Sequence, residues 1–286
     1  MIDFADGVPL LASHFRSVLF LLQADGDDFS VPTDRLVTWI EELNAWYLEV
    51  TGIARGRNLH LAYHRSIELV APRLLRFADK IERLGTSCRA LGYGFAITVQ
   101  VGEALAHRAD LERLVEVGAL HHLGINLVDV ESGAEDAARD LVEALACTSV
   151  QLALLGSLAV QRRLGLLSSP KVNRADITLY PANVTPGSID DGAEIRQPCA
   201  NRFRLYVQAD GELFPCLGLV GHPRASLGSI YRPISETALY RRPYALPLAR
   251  LALTGPSEEE LSAPVDDTMG LPVACARHRA ALESSS

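Results

Sequence analysis

The strongest constraint on the fold is a repeated alternation of short apolar segments with longer amphipathic ones. Apolar runs typical of buried strands lie at 14–22, 58–63, 94–99, 123–130, 150–155 and 177–180. Apolar residues with helical spacing lie between these runs, in a segment that begins at Pro32 and in the segments 74–84, 110–117, 134–146 and 158–164. Gly85 is the predicted end of the second helix. Such alternation predicts an α/β fold with a parallel sheet, and it suits both a doubly wound sheet and an open barrel.

The stretch 199–230 predicts a β-hairpin. Residues 203–207 alternate with the period of a half-buried strand, and Asp210-Gly211 is a preferred tight-turn dipeptide. Cys199 precedes the hairpin and Cys216 follows its return strand, so both thiols are expected at the same end. In a reducing compartment such thiols favour a metal site over a disulfide, and the alternative is a surface hairpin with incidental cysteines.

The spacing of this C-terminal part carries a family resemblance. Cys199, the Gly-x-x-x-x-Cys step from Gly211 to Cys216, and the later strand at 227–230 (LGSI) resemble the SPASM or twitch extension of radical S-adenosylmethionine enzymes. The segment 271–278 (LPVACARH) resembles a further step of that extension, with histidine in place of its second cysteine.

The resemblance extends into the first part of the chain. Residues 91–99 (LGYGFAITV) resemble the third barrel strand of that family, and 124–129 (GINLVD) resemble its fourth. It therefore implies a partial (β/α)6 TIM-like barrel over residues 1–186, followed over 187–286 by a small C-terminal SPASM/twitch-like β-hairpin extension.

The motif on which the family's chemistry depends is missing from this chain. The family holds a [4Fe–4S] cluster with Cys-x-x-x-Cys-x-x-Cys after the first strand, where this chain has 24–30 (ADGDDFS). Its glycine-rich motif for the amino group of S-adenosylmethionine is absent after the predicted second strand, where His64-Arg65-Ser66 stands. We therefore expect neither S-adenosylmethionine nor a [4Fe–4S] cluster at the barrel site, and a pseudoenzyme without radical chemistry.

A second group of residues could hold a metal. The candidate ligands are Cys199, Cys216, Cys275 and His278, a Cys₃His set that suits one tetrahedral zinc ion. The resemblance implies auxiliary iron–sulfur clusters at these positions, so zinc, iron–sulfur and a metal-free remnant all stay open. Cys88 and Cys147, in apolar helical contexts, are predicted to be core thiols.

Barrels of this type have their working surface at the carboxyl ends of the strands. The candidate peptide-binding residues are Asp25, Asp27, Asp28, His64 and Asp129 there, and Phe203 and Leu205 on the hairpin. We expect the acidic loop to contact a basic residue of a peptide and the strand 203–207 to accept a peptide strand by edge addition. The acidic loop also suits a weak cation site or a solvated cap of the next helix, and His64 also suits a structural role.

Charge and composition bound the partners. A net charge of −8, from 27 basic and 35 acidic residues, argues against a general nucleic-acid partner. No segment is apolar and long enough to span a bilayer, and the N-terminus lacks a basic region before its apolar run, which indicates a cytoplasmic protein without a membrane partner.

The resemblance, with its missing motif, predicts a non-catalytic protein that binds or presents a precursor peptide. It would serve a pathway of ribosomally synthesised, post-translationally modified peptides (RiPPs), with the peptide or a maturation enzyme as its partner. One alternative is a metal-dependent (zinc) hydrolase or cyclase acting on a peptide through a repurposed site. Another is a structural subunit that pairs with an active relative, and a homodimer remains open.

Overall fold

The computed structural model describes residues 17–56, 65–128, 130, 133–172, 177–181, 204–214, 220–221 and 225–237. These residues form a mixed α/β fold in which parallel strand pairs predominate. The chain divides into two compact units, each built from segments that are not consecutive in sequence. The parallel-sheet unit comprises Leu22–Val37 and Arg65–Val184, and the hairpin unit comprises Met1–Leu21, Thr38–His64 and Thr185–Ser286.

The elements follow one another in the predicted alternation. The strands are β1 (Ser17–Leu21), β2 (Ala24–Asp25), β3 (Asp28–Phe29), β4 (Ser66–Val70), β5 (Gly94–Gln100), β6 (His122–Asn126), β7 (Gln151–Gly156), β8 (Ile177–Pro181), β9 (Arg204–Val207) and β10 (Leu213–Phe214). The helices are α1 (Thr33–Gly56), α2 (Ala78–Ala90), α3 (Val101–Ala106), α4 (Arg108–Glu116), α5 (Glu135–Leu145) and α6 (Leu158–Arg163). Short 3₁₀ helices lie at Leu74–Phe77, Leu166–Ser168 and Ile234–Glu236.

The parallel-sheet unit has its main strands in chain order. β4, β5, β6, β7 and β8 are neighbours in that sequence, and every pair among them is parallel. A doubly wound sheet reverses its strand order at a switch point, and these strands do not. Because parallel crossovers are right-handed, an unreversed order places the connecting helices on one face of the sheet.

Helix α2 shows how closely that face is covered. Gly85 is buried within α2, and a methyl group there would overlap the carbonyl oxygen of Ala119 and lie 3.0 Å from Cδ1 of Phe95. The prediction that Gly85 ends the helix is therefore wrong, because this glycine permits close packing. The helix continues to Ala90, and Gly92 takes the positive φ of 77° in the turn that follows.

The hairpin unit contains the predicted turn. β9 runs parallel to β1 and antiparallel to β10, and Gly211 adopts φ 84° in the connecting turn. The 227–230 segment also pairs, since the amide of Leu227 donates to Leu213 at 2.8 Å and that of Ile230 to Gly211 at 2.9 Å. Within the same unit, Phe20 of β1 meets Trp39 of α1 edge to face, with ring centroids 5.9 Å apart.

The strand of the parallel sheet that pairs with β5 is Ser66–Val70, which the sequence analysis did not predict. The predicted second strand at 58–63 lies outside the described residues. In β4 buried residues, Ile67 and Leu69, alternate with partly exposed ones. The strand therefore lacks the continuous apolar run by which buried strands are recognised in a sequence. In the part of the chain described, no helix is long and apolar enough to cross a membrane.

Candidate functional site

The sheet of the parallel-sheet unit carries polar side chains on one of its faces, which we call the polar face. Side chains of a strand alternate between faces, so register decides which residues lie side by side. From β4 to β7, three rows cross this face: Glu68–Ala96–His122–Gln151, Thr98–Gly124–Ala153 and Gln100–Asn126–Leu155. Glu68, Thr98 and Asn126 are partly exposed, and His122 and Gln151 are exposed to a larger extent.

The opposite face is apolar and closed. Its residues are each no more than 2 % exposed, namely Ile67, Leu69, Phe95, Ile97, Val99, Leu123, Ile125, Leu152 and Leu154. All-parallel sheets are normally buried on both faces, and their strands are then apolar throughout. A half-exposed polar face on a parallel sheet is therefore a place where water or a ligand is expected.

Glu68 is held in a defined position on β4, the first strand of this face. Thr98 Oγ1 donates a hydrogen bond of 3.1 Å to Glu68 Oε1, from one strand to the next. Gly124 makes room for the threonine, because a methyl group at Gly124 would lie 2.6 Å from Thr98 Oγ1. The glycine, the threonine and the carboxylate thus form one connected arrangement across β6, β5 and β4.

His122 shares a row with Glu68, and Ala96 lies between them. Two strand spacings separate their backbones by about 10 Å. Partial burial lowers the pKa of His122, the neighbouring His121 lowers it further, and Glu68 opposes both effects. Near neutral pH His122 is therefore largely uncharged, and its imidazole can donate or accept a hydrogen bond.

The carboxyl edge of the sheet is shaped by the chain that follows β4. Arg73 adopts a left-handed conformation, φ 55° and ψ 41°, just before the 3₁₀ helix. The Leu75 amide donates to Glu103 Oε1 at 2.6 Å, which fixes this turn to α3. Burial raises the pKa of Glu103, partly offset by the Leu75 amide and by His107. Such an outlier in φ on a non-glycine residue persists only where the surroundings hold it.

The acidic loop forms the β2–β3 hairpin, and its three aspartates differ in environment. Asp25 and Asp27 are exposed, whereas Asp28 accepts hydrogen bonds from Thr33 Oγ1 at 2.7 Å and from the Thr33 amide at 3.2 Å. Lys80 Nζ lies 3.2 Å from Asp28 Oδ1. Although partial burial raises the pKa of Asp28, the bonds from Thr33, Phe29 and Lys80 hold it below its ordinary value. Asp28 therefore caps the start of α1, the role that the sequence had left open beside peptide contact.

The predicted free strand edge on the hairpin is wrong where the structure describes it. Tyr206 and Val207 of β9 pair with β1 on one side and with β10 on the other, and Leu205 is fully buried. A peptide cannot add to a strand edge that is already paired. Of the other predicted peptide-binding residues, His64, Asp129 and Phe203 lie outside the described residues.

The predicted metal ligands cannot be placed, because Cys199, Cys216, Cys275 and His278 all lie outside the described residues. Within those residues, no group of at least three histidine, cysteine, aspartate or glutamate side chains is arranged to hold a metal ion. Cys88 is a core thiol, as predicted, and burial raises its pKa to about 12. The same prediction for Cys147 is wrong, since its thiol follows the end of α5 and is exposed.

Sequence reasoning missed Glu68, Thr98 and His122. The signal was present in the alternation of SIELV, GFAITVQ and HLGIN, whose polar positions fall on the same face once the strands are in register. Comparison of the chain with protein families, with curated proteins and with solved structures finds no match.

Proposed function

We propose that the protein is a non-catalytic peptide-binding protein and that its polar face, with Glu68, Thr98 and His122, receives the peptide. The observation that carries the proposal is a parallel sheet one face of which, in the described strands, is polar and partly exposed. Carboxylate, hydroxyl, imidazole and amide groups offer both donors and acceptors. A peptide backbone and its side chains need both.

The same proposal includes the barrel architecture. Strands β4 to β8 follow one another without reversal, which is the order in a (β/α) barrel, and a barrel would make the polar face its interior. The resemblance to radical S-adenosylmethionine enzymes adds a peptide as the class of ligand and a RiPP pathway as the setting. If β4, the strand that pairs with β5, corresponds to the family's second strand, the residues after it are Ala71-Pro72-Arg73. The family's glycine-rich motif is absent at this position too.

The test is selection from a displayed library of random peptides on the immobilised full chain. Gly124→Ala, which would push a methyl group into Thr98, serves as the counter-selection, since it alters the polar face and leaves the outer helices untouched. Enrichment on the wild type that the Gly124→Ala variant loses, while keeping its circular dichroism spectrum, would support the proposal. Enrichment that is equal on both proteins, or absent from the wild type, would refute it.

The alternative of a zinc-dependent hydrolase or cyclase remains a prediction. Its proposed ligands lie outside the described residues, and the described contacts of the polar face give no reason to prefer metal-dependent hydrolysis to binding.

A further inference from the structure

We propose that a cleft between helices α4 and α5 is a docking site for a lysine or arginine side chain of a partner protein. The cleft lies where both helices end, and its volume is about 370 Å³. Residues of α4, of α5 and of the turn that leads to β7 line it. None of these described residues belongs to the polar face, so the inference goes beyond the proposed function and does not rest on it.

The first argument is that the cleft has an apolar part and an acidic part. Its floor contains Val115 and Leu145, which are 7 % and 1 % exposed. One wall contains Glu112 and Glu116, which are exposed and lie four residues apart on α4, so they project from the same side of that helix. Lysine and arginine side chains have the matching division, an apolar stem and a charged end.

The second argument is the electrostatic effect of the helix ends. α5 ends at Leu145, and its last turn contains no basic residue. The C-terminal end of a helix carries a partial negative charge, so a cation is stabilised near it. This effect has the same sign as the charge of the two glutamates, and the described lining of the cleft contains no basic side chain. The cleft is therefore complementary to a positive group and repels a negative one.

Basic residues elsewhere on the neighbouring helices are directed to other partners. Arg113, in the last turn of α4, bonds to Asp79 at 2.7 Å and to Glu82 at 2.5 Å, both on α2. Arg89 of α2 donates to the backbone carbonyl oxygens of the two residues that follow α4, at 3.2 and 3.0 Å. These contacts stabilise the packing of α2 against α4 and leave the acidic wall of the cleft to an incoming cation.

The ion pairs of the acidic wall indicate why the occupant is a polypeptide and not a small free amine. Arg108 pairs with Glu112 at 2.7 Å, but both side chains are about half exposed, and such a pair contributes little. The same screening weakens any cation that meets exposed Glu116 alone. Useful affinity therefore needs apolar area as well, which a basic side chain and the chain that carries it supply over Val115 and Leu145.

The experiment measures Kd by fluorescence anisotropy for the full chain and three short synthetic peptides, in which alanine alternates with lysine, with glutamine or with glutamate. We expect the lysine peptide alone to bind. Glu116→Lys should weaken its Kd about tenfold, because attraction at the cleft becomes repulsion. Glu41→Lys, at an exposed position of α1 that does not line the cleft, is the matched control. It changes the net charge equally and should alter Kd by less than about twofold, since salt screens distant charges.

A second readout locates the bound peptide. Cys147 is exposed and stands in sequence between Leu145 and Thr148, which both line the cleft. The lysine peptide should therefore slow the alkylation of Cys147 by N-ethylmaleimide, measured by mass spectrometry of the digested protein.

Several results would overturn the proposal. Equal weakening by Glu116→Lys and Glu41→Lys would assign binding to overall charge, and a Kd weakened by Gly124→Ala would assign it to the polar face. Equal binding of the lysine and glutamine peptides, unslowed alkylation of Cys147, tighter binding of free spermidine than of the lysine peptide, or no binding would each refute it as well. A wild-type dimer in sedimentation that Glu116→Lys dissociates would give the cleft to a second copy of the chain. If Glu116→Lys alters the circular dichroism spectrum, Ser149→Lys introduces the charge from the turn after α5 instead, with Ser149→Gln as its control.

Discussion

The packing of α2 makes a prediction whose sign is opposite to that expected from helix propensity. Replacing a glycine inside a helix with alanine normally stabilises a protein by about 1 kcal/mol, because alanine restricts the unfolded chain and favours the helix. Gly85 is an interior position of α2, so propensity alone predicts a more stable protein.

The structure predicts the reverse. The added methyl group would overlap a backbone carbonyl, that of Ala119, and also press on the Phe95 ring at 3.0 Å. A backbone oxygen cannot turn aside as a flexible side chain can, and overpacking of this kind costs about 1–3 kcal/mol. Taking the upper end of that range less the propensity gain, Gly85→Ala should lower the free energy of unfolding by about 2 kcal/mol. For a domain of this size that corresponds to a fall in Tm of about 4–8 °C.

Gly102 provides the matched control. It also lies in a helix, α3, but nothing stands within 4 Å of the position that its methyl group would take. Gly102→Ala should therefore leave stability unchanged or raise it by about 0.5 kcal/mol. Urea unfolding followed by circular dichroism measures both. A Gly85→Ala protein as stable as the wild type would refute the close contact between α2 and the chain at Ala119.

Three further outcomes follow from other described groups and from the predicted metal site. Asp28→Ala should lower the free energy of unfolding by about 1 kcal/mol near neutral pH, because it removes the acceptor for Thr33. Because the pKa of Asp28 is lower in the folded state, the difference in free energy of unfolding between wild type and variant should be full above about pH 4. It should disappear as the pH falls through the lowered pKa, which urea unfolding at a series of pH values would show. A maleimide applied to the native protein should modify Cys147 well before Cys88, and mass spectrometry showing equal rates would contradict the burial of Cys88. Elemental analysis of anaerobically purified protein should find about one zinc per chain, and Cys216→Ser should remove it and lower Tm; a variant with unchanged zinc content and Tm would exclude Cys216 as a ligand.

The alternation of strands and helices could be predicted because it depends on local periodicity. The run at 14–22 contains β1, and the runs ending at 99 and 155 contain nearly all of β5 and β7, since each buries a face that is apolar in sequence. The turn at Asp210-Gly211 was likewise predicted from the residues themselves, and Gly211 does adopt a positive φ. The prediction that Gly85 ends the helix was wrong because the role of this glycine depends on its contact with Ala119. Ala119 is distant in sequence, so the contact cannot be predicted until the fold is known.

The candidate site was harder to predict for a related reason. A search for continuous apolar runs passes over β4, where Glu68 stands between Ile67 and Leu69. Without β4 in its place, the link between Glu68 and Thr98 has no basis in sequence, since the two residues are 30 positions apart. Register brings them together, and register is a property of the whole sheet.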